Sequence, residues 1–454
     1  MKTRREFLKV SGLAAGAAML AGCSGGSGKG TTTINFLHNE TDPPSVEFFK
    51  KAISKYEDDH PSVKVDMQLV STDGRLQRLK SLQSARQMPG VFKIVPEERY
   101  TFATAGVIEP IDDIIDDIGR SQFVEQFIVP IKGKHYDIPY TINQFTIYMY
   151  RKHLLQQAHV TPATTWDEFV TASKTVTSDK NRDGRVDNFG TVIPASQNRM
   201  TDIYFAQVFW SQGGTYFDEN YKVSLDADDA AVRALEILQG LARYSPPGIK
   251  AYSYSDMVST YLTGKVVQDV YAPRLAANLA DEAPQILKDT GTAPRPKGTS
   301  GLGIGYANPN SFVVSSKKYG NDDVDAAKEF LRYLVSPEQV AGFSRTAYPH
   351  MIPPLKSVQQ RLLKEKNTMN SEHADLAKAA FDLDNTMDFT TEAGAHVAGG
   401  KLATTGDFNR YSPLITSRQI SAGMVQDVLV RRMTPKEAVQ KAVDALKSAV
   451  KESA

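Results

Sequence analysis

An α/β fold in two lobes is predicted by three features of the chain. Strand and helix periodicities alternate from residue 32 to residue 95, a pattern that lays helices over a mostly parallel sheet. About 430 residues follow the N-terminal segment, more than one hydrophobic core of ordinary size holds. The single cysteine, Cys23, leaves no internal disulfide, so packing alone must hold the fold.

The N-terminus reads as an export segment. Thr3-Arg4-Arg5-Glu6-Phe7-Leu8-Lys9 precedes an uncharged run from Val10 to Leu20 that closes on Leu20-Ala21-Gly22-Cys23. That run is about half of the ~20 apolar residues a membrane-spanning helix needs, and its flanks are those of a cleaved signal. The paired arginines resemble a twin-arginine signal. Leu20-Ala21-Gly22-Cys23 resembles a lipobox, which implies removal of residues 1–22, immediately before the cysteine, and a diacylglycerol on Cys23. Residues 24–30 are Gly and Ser with one Lys, the composition of a flexible tether.

Thr32 to Leu37 has strand composition. Val46, Phe49, Ala52, Ile53 and Tyr56 recur at helical spacing until His60-Pro61. Val63, Val65, Met67 and Leu69 alternate with polar residues as a strand does. Leu76, Leu79 and Leu82 mark a second helix, and Val91–Val95 a short strand. Further on, Thr165-Trp166-Asp167-Glu168 predicts a capping box. Ser336-Pro337-Glu338-Gln339 and Thr434-Pro435-Lys436-Glu437 repeat it with Pro at the first helical position. The last helix turns Ala438, Val439, Ala442, Val443, Leu446 and Val450 inward.

Composition excludes several functions. A formal net charge of +1 leaves no electrostatic footprint for nucleic acid. No later stretch has eighteen uncharged apolar residues, so nothing beyond the signal is expected to span a membrane. There is no His-Glu-x-x-His and, beyond the end of the tether at residue 30, no Gly-x-Ser-x-Gly, and Gly301-Leu302-Gly303-Ile304-Gly305 does not open a helix as a dinucleotide site requires.

Several segments, read in order, resemble the extracellular solute-binding proteins of the carbohydrate-binding class called family 1. They are Ile34 to Glu40, Gly106 to Asp112, Lys134 to Tyr140 leading into Tyr148 to Leu155, Thr164 to Phe169, Tyr261 to Val267, and Ala327 to Gln339. The resemblance implies a type II periplasmic-binding-protein-like fold, with a ligand cleft between lobes joined by hinge strands. It places one lobe at 31–140 plus 311–350 and the other at 141–310 plus 351–454. It implies a monomer outside the cytoplasm that captures a sugar or oligosaccharide and delivers it to ABC-transporter permease subunits, with no catalysis and no required cofactor. Tyr271-Ala272-Pro273-Arg274 stands where the family commonly has a Gly-rich turn ending in Trp, and Asn308-Pro309-Asn310 replaces a common Gly-Gly.

Sugars ask for aromatic faces and for planar polar side chains, because a hydroxyl buried without a partner costs roughly 1–3 kcal/mol. Asn39 and Glu40 follow the first strand, where an open α/β sheet presents ligand groups; the alternative is a loop or cap role. Asp73 and Glu97 are further candidates, against a turn residue and a solvated glutamate. The family arrangement adds Tyr140, Asn143 and Gln144 at the hinge, with Tyr271, Arg274 and Asn310 at the departures. Arg274 can pair with a carboxylate in bidentate fashion, which hints at an acidic sugar. Trp210 precedes Ser211-Gln212-Gly213-Gly214 at a chain reversal and can stack on a pyranose or pack in the core. Trp166, at a helix start, reads as core.

Asp179, Asn181, Asp183, Arg185 and Asp187 occupy positions 1, 3, 5, 7 and 9 of a calcium-type loop with Gly184 at position 6. Gly190 stands where the bidentate Glu belongs, so a structural calcium competes with a plain Asp/Asn-Gly turn. Two other function classes stay open. One is the same fold holding a peptide, polyamine or metal chelate; the other is an exported glycoside hydrolase with two carboxylates astride a bond.

Overall fold

The computed structural model describes residues 31–453 apart from 72–73, 180–183 and 407. Cys23 and the export segment lie outside the described residues, as do Asp73, Asn181 and Asp183. The chain opens with β1 (Thr32–His38), α1 (Pro43–Asp59), β2 (Val63–Leu69), α2 (Arg75–Ala85), β3 (Val91–Ile94) and α3 (Pro96–Thr104). The later strands are β4 (Ile138–Gln144), β5 (Ile147–Arg151), β6 (Gln268–Tyr271), β7 (Thr290–Ala293), β8 (Gly305–Val314), β9 (Thr386–Met387), β10 (His396–Ala398) and β11 (Lys401–Ala403).

The first lobe is built on a sheet of order β2-β1-β3-β8-β4. β1 pairs in parallel with β2 and β3, as the helical crossovers α1 and α2 require. β8 runs antiparallel to both β3 and β4. Side chains along a strand alternate between faces, and the core follows suit. Ile34 and Phe36 join Phe49, Phe312 and Phe330 on one face, while Leu37, Phe92 and Ile94 join Leu79 and Leu82 on the other.

The second lobe holds the antiparallel sheet β6-β5-β7 and a larger, helix-rich core. Trp166 is buried there against Phe169, the core role expected of it. The helix Arg199–Ser211 is buried from Thr201 to Ser211, as befits a helix enclosed on all sides. The helices Ala230–Ala242 and Ile420–Leu429 pack against it, and Pro435–Ser453 packs on those two.

Two boundaries differ from those expected. β4 stays in the first sheet through Gln144, pairing with β8 from Ile138 to that residue. Ile352, Leu355, Val358 and Leu362 belong to the first lobe's core, so the return to the second lobe follows the helix Lys356–Lys364 instead of falling at 350. An apolar stripe on that helix needs a core to cover it, and the first lobe supplies one.

The caps divide likewise. Thr434 accepts from Glu437 N at 3.3 Å while Glu437 accepts from Thr434 N at 3.0 Å, a complete box. Thr165 accepts from Glu168 N, but the Glu168 carboxylate reaches back to Thr164 N. Ser336 makes no side-chain cap, and Glu338 pairs with Arg361 instead. Thr434→Ala should therefore cost about 1 kcal/mol in denaturant unfolding, whereas Ser336→Ala should change stability by less than about 0.5 kcal/mol.

Candidate functional site

Phe145 and Thr146 carry the chain from β4 into β5, and hence from one sheet to the other. Strand register decides what gathers at this crossing. Asn143 lies opposite Asn308, and Thr141 opposite Asn310. Ile142 bridges to Ile352, which sets His350 close by, and Ile147 pairs with Tyr271.

The first lobe contributes a buried ionic triad. Glu40 Oε1 accepts from Lys93 Nζ at 2.9 Å and from the Tyr140 hydroxyl at 2.5 Å. Burial alone would raise the Glu40 pKa; the charge of Lys93 and the two hydrogen bonds outweigh it and hold the carboxyl at about 2. Tyr140 also stacks on Phe312, ring centroids 4.0 Å apart. His38 is pushed down to about 4 by burial, with Lys93 adding and Glu40 opposing. Its Nδ1 accepts from Glu40 N, so the neutral ring carries its proton on Nε2, a buried donor with no partner among the described residues.

The second lobe contributes aromatic faces. Tyr254 lies edge-on to Phe145 at 6.5 Å and tilted against Tyr271 at 5.9 Å. Arg274, the first residue of the helix Arg274–Glu282, lies beside the Tyr254 hydroxyl; burial pushes that hydroxyl up to about 12 against the pull of the guanidinium. Burial, helped by the Arg274 charge and opposed by Glu40, holds His350 at about 3. His350 thus feels one charge from each lobe. Asn143 Oδ1, Gln144 Oε1, Tyr271 OH and His350 Nδ1 are buried and make no hydrogen bond among the described residues, against the strong rule that buried polar atoms are paired.

A second contact spans the lobes. Arg199 Nη2 lies 2.9 Å from Glu97 Oε1 and donates to the Tyr306 hydroxyl at 3.0 Å. The Arg99 guanidinium sits over Phe408 at 5.1 Å, and Tyr100 stacks on the same ring. Burial raises the nearby Asp202 to about 8 and Asp388 to about 6, with Glu97 adding to both and Arg199 or Thr390 opposing.

The candidates named from sequence therefore separate. Asn39, Tyr140, Asn143, Tyr271 and Asn310 are buried or half-buried around the crossing. Glu40 is there too, but spent on Lys93 and Tyr140. Glu97, expected as a ligand acceptor or a solvated glutamate, is 4% exposed and paired with Arg199. Gln144 gives its Nε2 to Asp382 O. Trp210 sits in the last turn of a helix and stacks on Tyr306, with Phe389 edge-on. It lines a cavity of about 220 Å³ with Met387, Val397 and Leu402, under the β10–β11 hairpin, with the Tyr306 ring between this tryptophan and Phe145 at the crossing. In the calcium-type loop Asp179 accepts from Gly184 N, the turn role. Asn181 and Asp183 are not described, and no group of three metal-ligating side chains occurs among the described residues.

Lys93, Arg199 and His350 escaped sequence reasoning, and two of them carried a signal. A lysine inside the apolar Val91–Ile94 demands a buried anion. An arginine at the first position of a helix opposes the peptide dipoles and asks for a carboxylate. His350 sits in an irregular stretch with no such mark.

A profile of the bacterial extracellular solute-binding protein family matches residues 51–377. A putative binding protein of Brucella abortus (strain 2308) is 24% identical over 327 residues, covering 71% of this chain and 76% of its own. Among solved structures, maltose-bound T. maritima MalE3 superposes with a TM-score of 0.71 at 21% identity, over 92% of this chain and all of its own. The ABC transporter solute-binding protein of Agrobacterium radiobacter K84, in complex with ribitol, gives a TM-score of 0.73 at 15% identity over 92% of this chain and 99% of its own. Matched along most of its length and folded as two α/β lobes about crossing strands, the chain belongs to the bacterial extracellular solute-binding protein family.

Proposed function

We propose that the chain is the solute-capturing component of an ABC importer, enclosing a sugar, sugar alcohol or oligosaccharide between its lobes and presenting it to the permease subunits. The carrying observation is the set of buried, unpaired polar atoms on Asn143, Tyr271 and His350 beside the rings of Phe145 and Tyr254. Such groups favour a guest with both hydroxyls and C–H faces. Maltose and ribitol, held by the two neighbours named above, are guests of that kind. The carboxylates here suit binding better than glycoside hydrolysis. Glu40, held ionised by Lys93, is no proton donor, and Glu97 is engaged by Arg199. Residues 1–23 fit export with acylation of Cys23, which would tether the lobes outside the cytoplasm.

Thermal unfolding of the purified protein across sugars, polyols, sugar acids, amino acids and polyamines tests this reading, since selective binding raises the transition by mass action. Carbohydrates should shift it and remain chemically intact. Asn143→Ala should then weaken the best guest by roughly 5- to 150-fold, the worth of one buried hydrogen bond. Shifts confined to amino acids or polyamines, or release of hydrolysis products, would overturn it.

A further inference from the structure

We propose that the guest carries a carboxylate and that Arg274 receives it, so that the ligand is a sugar acid; this rests on the carbohydrate reading above and narrows it. Arg274 opens a nine-residue helix whose first turn no side chain caps. A cation there adds to the positive end of the peptide dipoles, an arrangement that favours a bound anion. No carboxylate pairs with Arg274 among the described residues. Its neighbours are the Tyr254 hydroxyl and, through its charge, His350.

The helix end does not stand alone. Tyr271, 1% exposed, and His350, 5% exposed, both hold polar atoms with no partner at this place. Tyr271 lies three residues before Arg274 at the end of β6, and its ring adjoins that of Tyr254. Tyr254 thus has the Arg274 guanidinium at its hydroxyl and the Tyr271 ring against its own, while the His350 imidazole lies within the field of that guanidinium, and these rings can take a sugar's C–H face.

Charge selects the anion. Lys93 is neutralised by Glu40, and His350 is neutral in its buried position. One uncompensated positive charge remains, that of Arg274, while the negative charge of Glu40 also reaches His350. A planar monoanion satisfies it with two parallel hydrogen bonds. A phosphate dianion would leave one charge unmatched in a place that already feels Glu40.

Calorimetric titration of the purified protein with glucuronate, galacturonate and gluconate, beside glucose, galactose, sorbitol and glucose 6-phosphate, tests the assignment. At least one acid should bind roughly 30-fold more tightly than its neutral counterpart, the worth of a charge-assisted hydrogen bond. Arg274→Gln should remove that preference. Tyr271→Phe, which keeps the ring, should weaken the acid several-fold and guards against misfolding of the first variant. Tighter binding of neutral sugars than of acids would overturn this inference and leave the carbohydrate reading standing. Tighter binding of the sugar phosphate would overturn the carboxylate assignment. Binding of amino acids alone would overturn the carbohydrate reading and this inference with it.

Discussion

Lys93→Met should lower the stability of the protein by about 3–5 kcal/mol, the usual cost of leaving one member of a buried ion pair uncompensated. Lys93 and Glu40 are 5% and 8% exposed, so water cannot take over the missing partner. Tyr140 alone would then hydrogen-bond the carboxylate. The pH dependence should change sign, which distinguishes lost charge from lost packing. In the native protein the Glu40 pKa lies at about 2, below its usual value of 4.5. Its ionisation therefore stabilises the fold fully above about pH 4.5, and that contribution is lost as pH falls towards 2. Without Lys93, burial dominates and the Glu40 pKa rises above its ordinary value, so the variant should gain stability on acidification. Denaturant unfolding between pH 3 and 7 should show the gap to the native protein closing as pH falls. The double variant Glu40→Gln with Lys93→Met should recover much of the loss, because a neutral pair needs no counter-charge. A gap that stays constant with pH would mean that packing, not charge, carries the effect.

That triad also shows what local sequence can and cannot disclose. β1, β2 and β3 were legible because a half-buried strand must alternate and a buried one must be largely apolar, and the residues follow that rule apart from Lys93 in β3. The helix faces were legible for the same reason, as was the Thr434 box, whose two partners lie three residues apart. The site was not, because it is assembled by register. Asn143 meets Asn308, and Ile142 meets Ile352, across separations no periodicity encodes. Glu40 was found by its position after β1, yet its partners Lys93 and Tyr140 lie 53 and 100 residues away. Trp210 misled for a local reason: a tryptophan before Gly213-Gly214 looks like a turn residue, but the helix runs on to Ser211 and the ring packs inside it. The lobe boundary near 350 was misplaced because an amphipathic helix advertises a buried face without saying which lobe buries it.

Glu97→Gln should shift the ligand-free protein towards an open form and weaken its guest by roughly 5- to 30-fold. The pair Glu97–Arg199 joins α3 of the first lobe to the helix Arg199–Ser211 of the second. It exists only when the lobes are together, so its free energy enters the closing equilibrium directly. Arg199 is about one third exposed while Glu97 is buried, which sets the pair between a surface bridge worth under about 1 kcal/mol and a fully buried one. A guest that binds the closed form pays for closing out of its own affinity, in proportion to how rarely that form is populated. Removing the carboxylate also leaves Arg199 facing the positive end of its own helix, which adds to the cost of closure. The stacking of Tyr100 and Arg99 on Phe408 survives the substitution, so opening should be partial. Small-angle scattering should register a larger radius of gyration for the ligand-free variant and the native radius once guest saturates it. Arg199→Gln should do the same, and the double variant should be no worse than either single one, because the two side chains act through one contact. Unchanged scattering together with unchanged affinity would show that closure is governed elsewhere along the cleft.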